Sequence, residues 1–337
     1  MSLRHPLILA LLLAAACSGG DDGSSSDLTG DDDDDVTGLT PWSEVVTTQE
    51  DQCCRTVQPQ FEWSPVVDHE GLPATWVMPD DPVGALVVFH GTNGIIETVQ
   101  QVEYIELYNL LVPRGIGIVL TVSEDRDAKQ WDTAPLPDNV DFPRVQSLLG
   151  RIADETAFTP DLPLVGLGFS QGCSMVDLLA DQGPDAGVNA VGMVFHNCGQ
   201  GGPRDQPALF VDAENDGASS RMASLASDHP DGTLLSGTEV PLHPNRFAKL
   251  ISFSPEDSVG IFDELVGLEV VDTDGLRTVD FGSDPEAVME GIENALRVRY
   301  AADVVQQLRV VWALHRISAQ NKLDEAAWIE AQIRGSR

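Results

Sequence analysis

The sequence predicts an α/β fold with a mostly parallel central sheet flanked by helices. Nearly continuous apolar runs of strand length, at 83–89 and 116–122, suit strands that are buried on both faces of such a sheet. Segments with helical apolar spacing alternate with these runs, for example at 101–111 and 142–153. With 337 residues and 42% hydrophobic content, the chain can bury a full core.

The strongest chemical signal is a strand, a sharp turn and a helix that follow one another over 162–179. The turn reads Gly-Phe-Ser-Gln-Gly, with the serine at position 170. A serine at the tip of a strained turn needs neighbours without a Cβ, so that strand and helix can pass close together. We predict Ser170 as a nucleophile and the backbone N–H of Gln171 as a donor to a developing oxyanion.

This motif in its setting resembles the elbow of carboxylesterases and thioesterases of the α/β-hydrolase family. The resemblance extends over about 83–217 and resumes near the C-terminus. It implies a second oxyanion donor on the loop after the first buried strand, where His-Gly-Thr-Asn-Gly stands at 90–94. We expect Thr92 to supply that N–H, and we expect no metal or organic cofactor in chemistry of this kind.

The same resemblance places the triad acid on the loop that follows the strand at 208–211. Asp216 fits that place best, and Asp212, closer to the strand end, is the alternative. The acid holds the histidine base in one tautomer and stabilises its protonated form.

Two histidines are candidates for the base. His243 is nearer to Asp216 along the chain, at a gap that is ordinary for the family, but it lies between two prolines. His315 follows an apolar segment at 307–314 and precedes a helical pattern at 324–333, which would supply the last strand and the closing helix of the fold. We therefore predict His315 as the base and keep His243 as the alternative.

The N-terminus predicts export. Residues 1–16 contain a basic residue and then an apolar run, as in a secretory signal peptide. The small residues before Cys17 resemble the lipobox of bacterial lipoproteins, which implies acylation of Cys17 and a lipid anchor in the cell envelope. Ser18 follows, which by the same resemblance favours the outer membrane or cell surface. Ala14 stands where that family usually has leucine, so an ordinary signal-peptidase cut is the alternative.

The remaining chain divides into an acidic tether at 17–44 and a hydrolase domain at 45–337. On the assignment of His315, residues 218–302 form a helical cap inserted before the last strand. The net charge of −35 argues against nucleic acid as a partner.

Four cysteines remain after Cys17, an even number in an oxidising compartment. Cys173 begins the helix after the elbow, and Cys198 follows the next strand. Because neighbouring strand ends meet at one edge of the sheet, we expect these two to pair. Cys53 and Cys54 would then bond to each other or elsewhere.

Together these features predict a surface-tethered serine hydrolase. It would cleave small-molecule or polymeric carboxylic esters met outside the cell, through an acyl-enzyme intermediate. The alternative is a binding or structural lipoprotein that kept the scaffold and lost the activity.

Overall fold

A computed structural model describes residues 39–45, 54–202, 204–282 and 284–336. The predicted signal peptide, the acylated Cys17, most of the tether and Cys53 lie outside the described residues. From Thr40 onward, the described residues form one compact unit. Within the described ranges, no helix has the length and apolar character needed to span a membrane.

The described residues form an eight-stranded sheet in the order β1-β2-β4-β3-β5-β6-β7-β8. The first two strands pair antiparallel, and β2 is antiparallel to β4, whereas all pairings from β4 through β8 are parallel. The strands are β1 (Val67–His69), β2 (Leu72–Val77), β3 (Gly84–Phe89), β4 (Ile116–Thr121), β5 (Leu164–Phe169), β6 (Ala190–His196), β7 (Ala208–Ala213) and β8 (Gly232–Gly237). This order, with a serine turn after β5, confirms the predicted α/β-hydrolase fold.

Helices cover both faces of the sheet. Alternate side chains of β3 pack on opposite faces, with Val87 in one buried cluster and Leu86 in the other. One face is covered by α2 (Asp141–Glu155), α3 (Cys173–Gln182) and α4 (Ser219–Asp228), and the other by α1 (Val102–Leu111) and α8 (Lys322–Gly335). The central strands are therefore apolar along their whole length.

The prediction of a last strand at 307–314 is wrong. The segment Ala301–Val311 is a helix, and the last strand is β8, which pairs parallel with β7. Val304, Leu308 and Val311 recur at helical spacing and are buried. The apolar run therefore packs one face of a helix rather than both faces of a strand.

The limits of the predicted cap, 218–302, change for the same reason. Helix α4 and strand β8 belong to the central fold, so the insertion follows the last strand instead of preceding it. It comprises a short 3-10 helix at Arg246–Lys249, then α5 (Pro255–Gly267), α6 (Pro285–Ala295) and α7 (Ala301–Val311). These elements bury an apolar cluster of their own around Phe247, Leu265 and Trp312.

Candidate active site

Ser170 stands at the turn between β5 and α3 with a backbone φ of +53°. This left-handed conformation is strained for a residue with a side chain and is typical of a nucleophile elbow. A Cβ at Gly172 would lie 2.3 Å from the Phe89 carbonyl oxygen, and one at Gly168 would lie 2.7 Å from the backbone nitrogen of Cys173. The two glycines are therefore required for β3, β5 and α3 to meet at this turn.

The structure brings Asp216 and His315 together. His315 Nδ1 lies 2.8 Å from Asp216 Oδ2. The other carboxylate oxygen accepts from the backbone N–H of Ala218 at 3.1 Å, which holds the carboxylate in its turn. A carboxylate only accepts, so Nδ1 carries the proton and Nε2 keeps its lone pair. The Asp216 side chain is buried, at 8% exposure, whereas the His315 ring is 39% exposed and open to a reactant.

His315 lies beside the elbow, because its ring centroid is 5.0 Å from that of Phe169, the residue before Ser170. Within the described part of the chain, the Ser170 hydroxyl makes no hydrogen bond, so it is not hydrogen-bonded to the His315 ring in this structure. Catalytic hydrogen bonds often tighten only when substrate is bound.

The loop after β3 also meets the serine. A Cβ on Gly91 would come within 3.2 Å of Ser170 Cβ. The loop is a tight turn closed by Gly94 N–H to Gly91 O at 3.0 Å, with Asn93 left-handed at φ +65°. Thr92 occupies the first central position, where the turn itself offers its N–H no acceptor. Gln171 lies in the first turn of a 3-10 helix, so its N–H also lacks a helical acceptor.

His90 and Trp131 support this loop from behind. His90 Nε2 accepts from the Ser123 N–H at 3.2 Å and its Nδ1 lies 2.7 Å from Gly91 O, which assigns the proton to Nδ1. Burial lowers the pKa of His90 to about 4, so the ring stays neutral. Trp131 Nε1 donates to His90 O at 2.8 Å, and both groups of the Gln171 amide bond the Trp131 backbone. No sequence pattern predicts these supporting contacts, because they join residues far apart in the chain.

The two alternative site residues, His243 and Asp212, do not form the acid–base pair. His243 Nδ1 accepts from the Asn245 N–H at 3.1 Å and lies 3.0 Å from Cys54 Sγ, and it makes no hydrogen bond to Asp216. Asp212 is buried at the end of β7, and desolvation raises its pKa. The aspartate that meets a histidine is therefore Asp216.

The predicted disulfide is confirmed, because Cys173 and Cys198 are bonded across the ends of β5 and β6. Cys54 is also disulfide-bonded. The prediction for Cys53 falls outside the described residues.

A cavity of about 300 Å³ opens beside the elbow. The loop at 90–94, Phe169 and Ile317 line it, together with Tyr104 from α1 and Arg316. Of the five predicted catalytic and oxyanion residues, Thr92 lines this cavity, and Ser170, Gln171, Asp216 and His315 do not. Because the cavity adjoins both the serine turn and the histidine loop, it can receive part of a molecule that reacts there.

The fold and the site together define a protein of the α/β-hydrolase fold with a serine elbow. Among solved structures, the chain is similar to Est1E from Butyrivibrio proteoclasticus with ferulic acid bound, at 12% identity over 60% of this chain and 100% of that chain, with a TM-score of 0.37. It is also similar to an esterase from the archaeon Pyrobaculum calidifontis, at 14% identity over 64% and 85% of the two chains, with a TM-score of 0.40. A fungal esterase from Rhizomucor miehei matches at 14% identity over 62% and 83%, with a TM-score of 0.40.

No protein-family model matches the chain, and no curated protein matches it. The likeness to the solved structures is low in both sequence and superposition. The assignment of the fold therefore rests on the strand order and the serine turn.

Proposed function

We propose that the protein is a serine hydrolase that cleaves carboxylic esters through an acyl-enzyme. The observation that carries the proposal is the hydrogen bond between His315 and Asp216, held in a loop that packs against the serine turn. A nucleophile, a base and an orienting acid are the three groups that this chemistry needs.

In the first half-reaction, Ser170 Oγ attacks the ester carbonyl carbon while His315 Nε2 takes the hydroxyl proton. The tetrahedral oxyanion is held by the N–H groups of Gln171 and Thr92. His315 then gives its proton to the alcohol oxygen, the C–O bond breaks and the acyl group stays on the serine. Asp216 keeps its charge throughout and stabilises the imidazolium.

In the second half-reaction, His315 takes a proton from water, and the hydroxide oxygen attacks the acyl carbon. The collapse of this second tetrahedral intermediate returns the proton to Ser170 and releases the carboxylic acid. Before the first half-reaction, the serine hydroxyl has to approach His315 Nε2, and we expect this movement when an ester binds.

We also propose that the hydrolase acts outside the cytoplasm, anchored through a lipid on Cys17. The support is the sequence alone, since Cys17 lies outside the described residues. Its substrates would then be esters met outside the cell. Mass spectrometry of the mature protein from its own host tests this point, because acylation adds a defined mass to an N-terminal Cys17 peptide, and an unmodified N-terminus would contradict it.

The activity is tested with a fluorophosphonate probe, which reacts with activated serines. The protein is expected to be labelled, and Ser170→Ala is expected to abolish labelling. Ser224→Ala, which removes an exposed hydroxyl on α4, is the matched control and should label like the parent. A folded parent that takes no label would refute the hydrolase and favour a binding or structural role.

A further inference from the structure

The cavity beside the elbow contains a guanidinium that has no carboxylate partner. Arg316 follows the histidine of the candidate site and is half-buried in the cavity wall. Its Nε donates to Gln306 Oε1 at 2.5 Å, and its Nη1 donates to the His315 carbonyl oxygen at 2.7 Å. Among the described residues, no carboxylate lies within salt-bridge distance of it.

The carboxylates near this guanidinium are bound by other side chains, although Glu286 attracts it at longer range. Glu286 lies nearby but is bound by Arg309. Glu103 also lines the cavity, but its Oε1 accepts from Arg246 at 3.0 Å and from Gln307 at 3.2 Å.

Other donors face the same space. Tyr104 lines the cavity and is otherwise buried, and its hydroxyl makes no hydrogen bond to any described residue. The Nη2 group of Arg316 makes none either. A guanidinium has five N–H donors in a planar fork that fits a carboxylate, and only two of its nitrogens are used here by the protein.

We infer that this cavity binds a carboxylate carried by the ester substrate, with Arg316 and Tyr104 as its donors. This inference rests on the proposed function and narrows its substrate class to esters with a free acid group. A half-buried guanidinium is costly without a counter-charge, and a bound carboxylate supplies one. The positive charge of Arg316 is also what an acidic ester needs, because the chain as a whole carries a net charge of −35 and repels anions.

The specificity test compares each acidic ester with its neutral counterpart. In the first pair, monomethyl adipate carries its free carboxylate on the acyl side, and dimethyl adipate is the neutral reference. In the second pair, 4-acetoxybenzoate carries its carboxylate on the alcohol side, and its methyl ester is the neutral reference. The ratio of kcat/KM, acidic over neutral, is expected to exceed one for at least one pair. Arg316→Gln is expected to lower that ratio on the order of tenfold or more, since hydrogen bonds to charged groups are the strong ones.

Two further variants sharpen the test. Arg316→Lys keeps the charge but loses the planar fork, and we expect an intermediate ratio. Arg299→Gln removes the same charge from an exposed position on the insertion outside the cavity, and we expect the parent's ratio. A ratio that Arg316→Gln leaves unchanged, or no preference for either acidic ester, would overturn the inference.

A binding measurement separates this inference from the proposed function. In the Ser170→Ala background, which cannot turn over, titration calorimetry measures the Kd of both acidic esters. Adding Arg316→Gln should weaken the Kd of the preferred ester about tenfold or more, and adding Arg299→Gln should not. Equal Kd values with and without Arg316 would refute the carboxylate site. A chain that binds the acid through Arg316 but hydrolyses no ester would refute only the hydrolase.

Discussion

Glu106 is predicted to hold the insertion on the central fold. Its carboxylate is buried and bridges two ammonium groups, at 2.6 Å to Lys249 and 2.8 Å to Lys322. Glu106 lies on α1, Lys249 lies in the insertion, and Lys322 begins α8. The substitution Glu106→Gln keeps the size of the side chain and removes the charge that all three elements share.

The expected effect is large because the three groups are almost fully buried. Removing one partner of a buried ion pair costs about 3–5 kcal/mol, mainly because the remaining charge stays out of water. Lys322 would then have no carboxylate within salt-bridge distance among the described residues. We therefore expect Glu106→Gln to lower the free energy of unfolding by about 3–5 kcal/mol near neutral pH.

The effect should depend on pH in a defined direction. Burial lowers the pKa of Lys249 to about 8, with Arg246 adding to the shift and Glu106 opposing it. The attraction between Glu106 and Lys249 is therefore present below pH 8 and fades above it, so the cost of Glu106→Gln should be smaller at pH 9.5 than at pH 7. In the parent, the unfolded state binds more protons at this lysine between about pH 8 and 10.5, so this group alone raises stability with pH across that window.

Urea denaturation followed by tryptophan fluorescence measures these differences. The control is Glu155→Gln, which breaks an exposed pair with Arg151 one helical turn away and should cost only about 0.3–0.5 kcal/mol. If Glu106→Gln lowers the free energy of unfolding at pH 7 by no more than this control does, the buried ion pairs do not stabilise the insertion on the central fold.

Three further predictions concern the serine turn and its surroundings. Gly172→Ala should abolish ester hydrolysis and lower stability because its Cβ would collide with the carbonyl groups of Phe89 and His90. Gly150→Ala, in open space within α2, should leave hydrolysis unchanged and gain up to about 1 kcal/mol. His90→Gln should make the fold less sensitive to acid. The folded-state pKa of His90 is lowered to about 4, so this group lowers the free energy of unfolding of the parent by up to about 3 kcal/mol as pH falls from 6.5 to 4. The variant lacks this group, so its free energy of unfolding, measured by denaturation at both pH values, should fall by about that much less. Replacing Cys173 and Cys198 together by alanine removes a bridge across a separation of 25 residues and should lower the free energy of unfolding by about 3 kcal/mol, and an unchanged denaturation midpoint would contradict this.

The sequence predicted the inner part of the fold because those segments are buried on both sides. Strands β3, β4 and β5 are apolar runs without alternation, and short runs of this kind are typical of strands that are buried on both faces of a parallel sheet. The outer strand β8 was missed because it carries no such pattern: Leu234 is exposed, and glycines stand at both ends of the strand. Without a recognisable β8, the apolar run of α7 is the remaining segment that could serve as the last strand, which is why the sequence predicts a strand there.

The assignment of site residues depended on different signals. Ser170 was predicted from local chemistry, since its flanking glycines are needed for the backbone to turn. The sequence alone does not decide between His243 and His315 as the base, because spacing along the chain does not give the distance of either ring from Asp216 across the insertion. His315 follows the helix α7 instead of the predicted strand, yet the loop that carries it still precedes the closing helix α8, and its ring meets Asp216. The cavity donors on Tyr104 and Arg316 come from α1 and from the loop between α7 and α8, and spacing in the sequence does not reveal that the two line one cavity.

The most direct measurement of the central claim compares two histidine variants in ester hydrolysis. We expect His315→Ala to lower kcat/KM for a short-chain p-nitrophenyl ester on the order of 10³-fold or more, because it removes the base that Asp216 orients. We expect His243→Ala to retain activity close to the parent's, since that ring bonds elsewhere. Loss of activity in His243→Ala together with retained activity in His315→Ala would contradict the account.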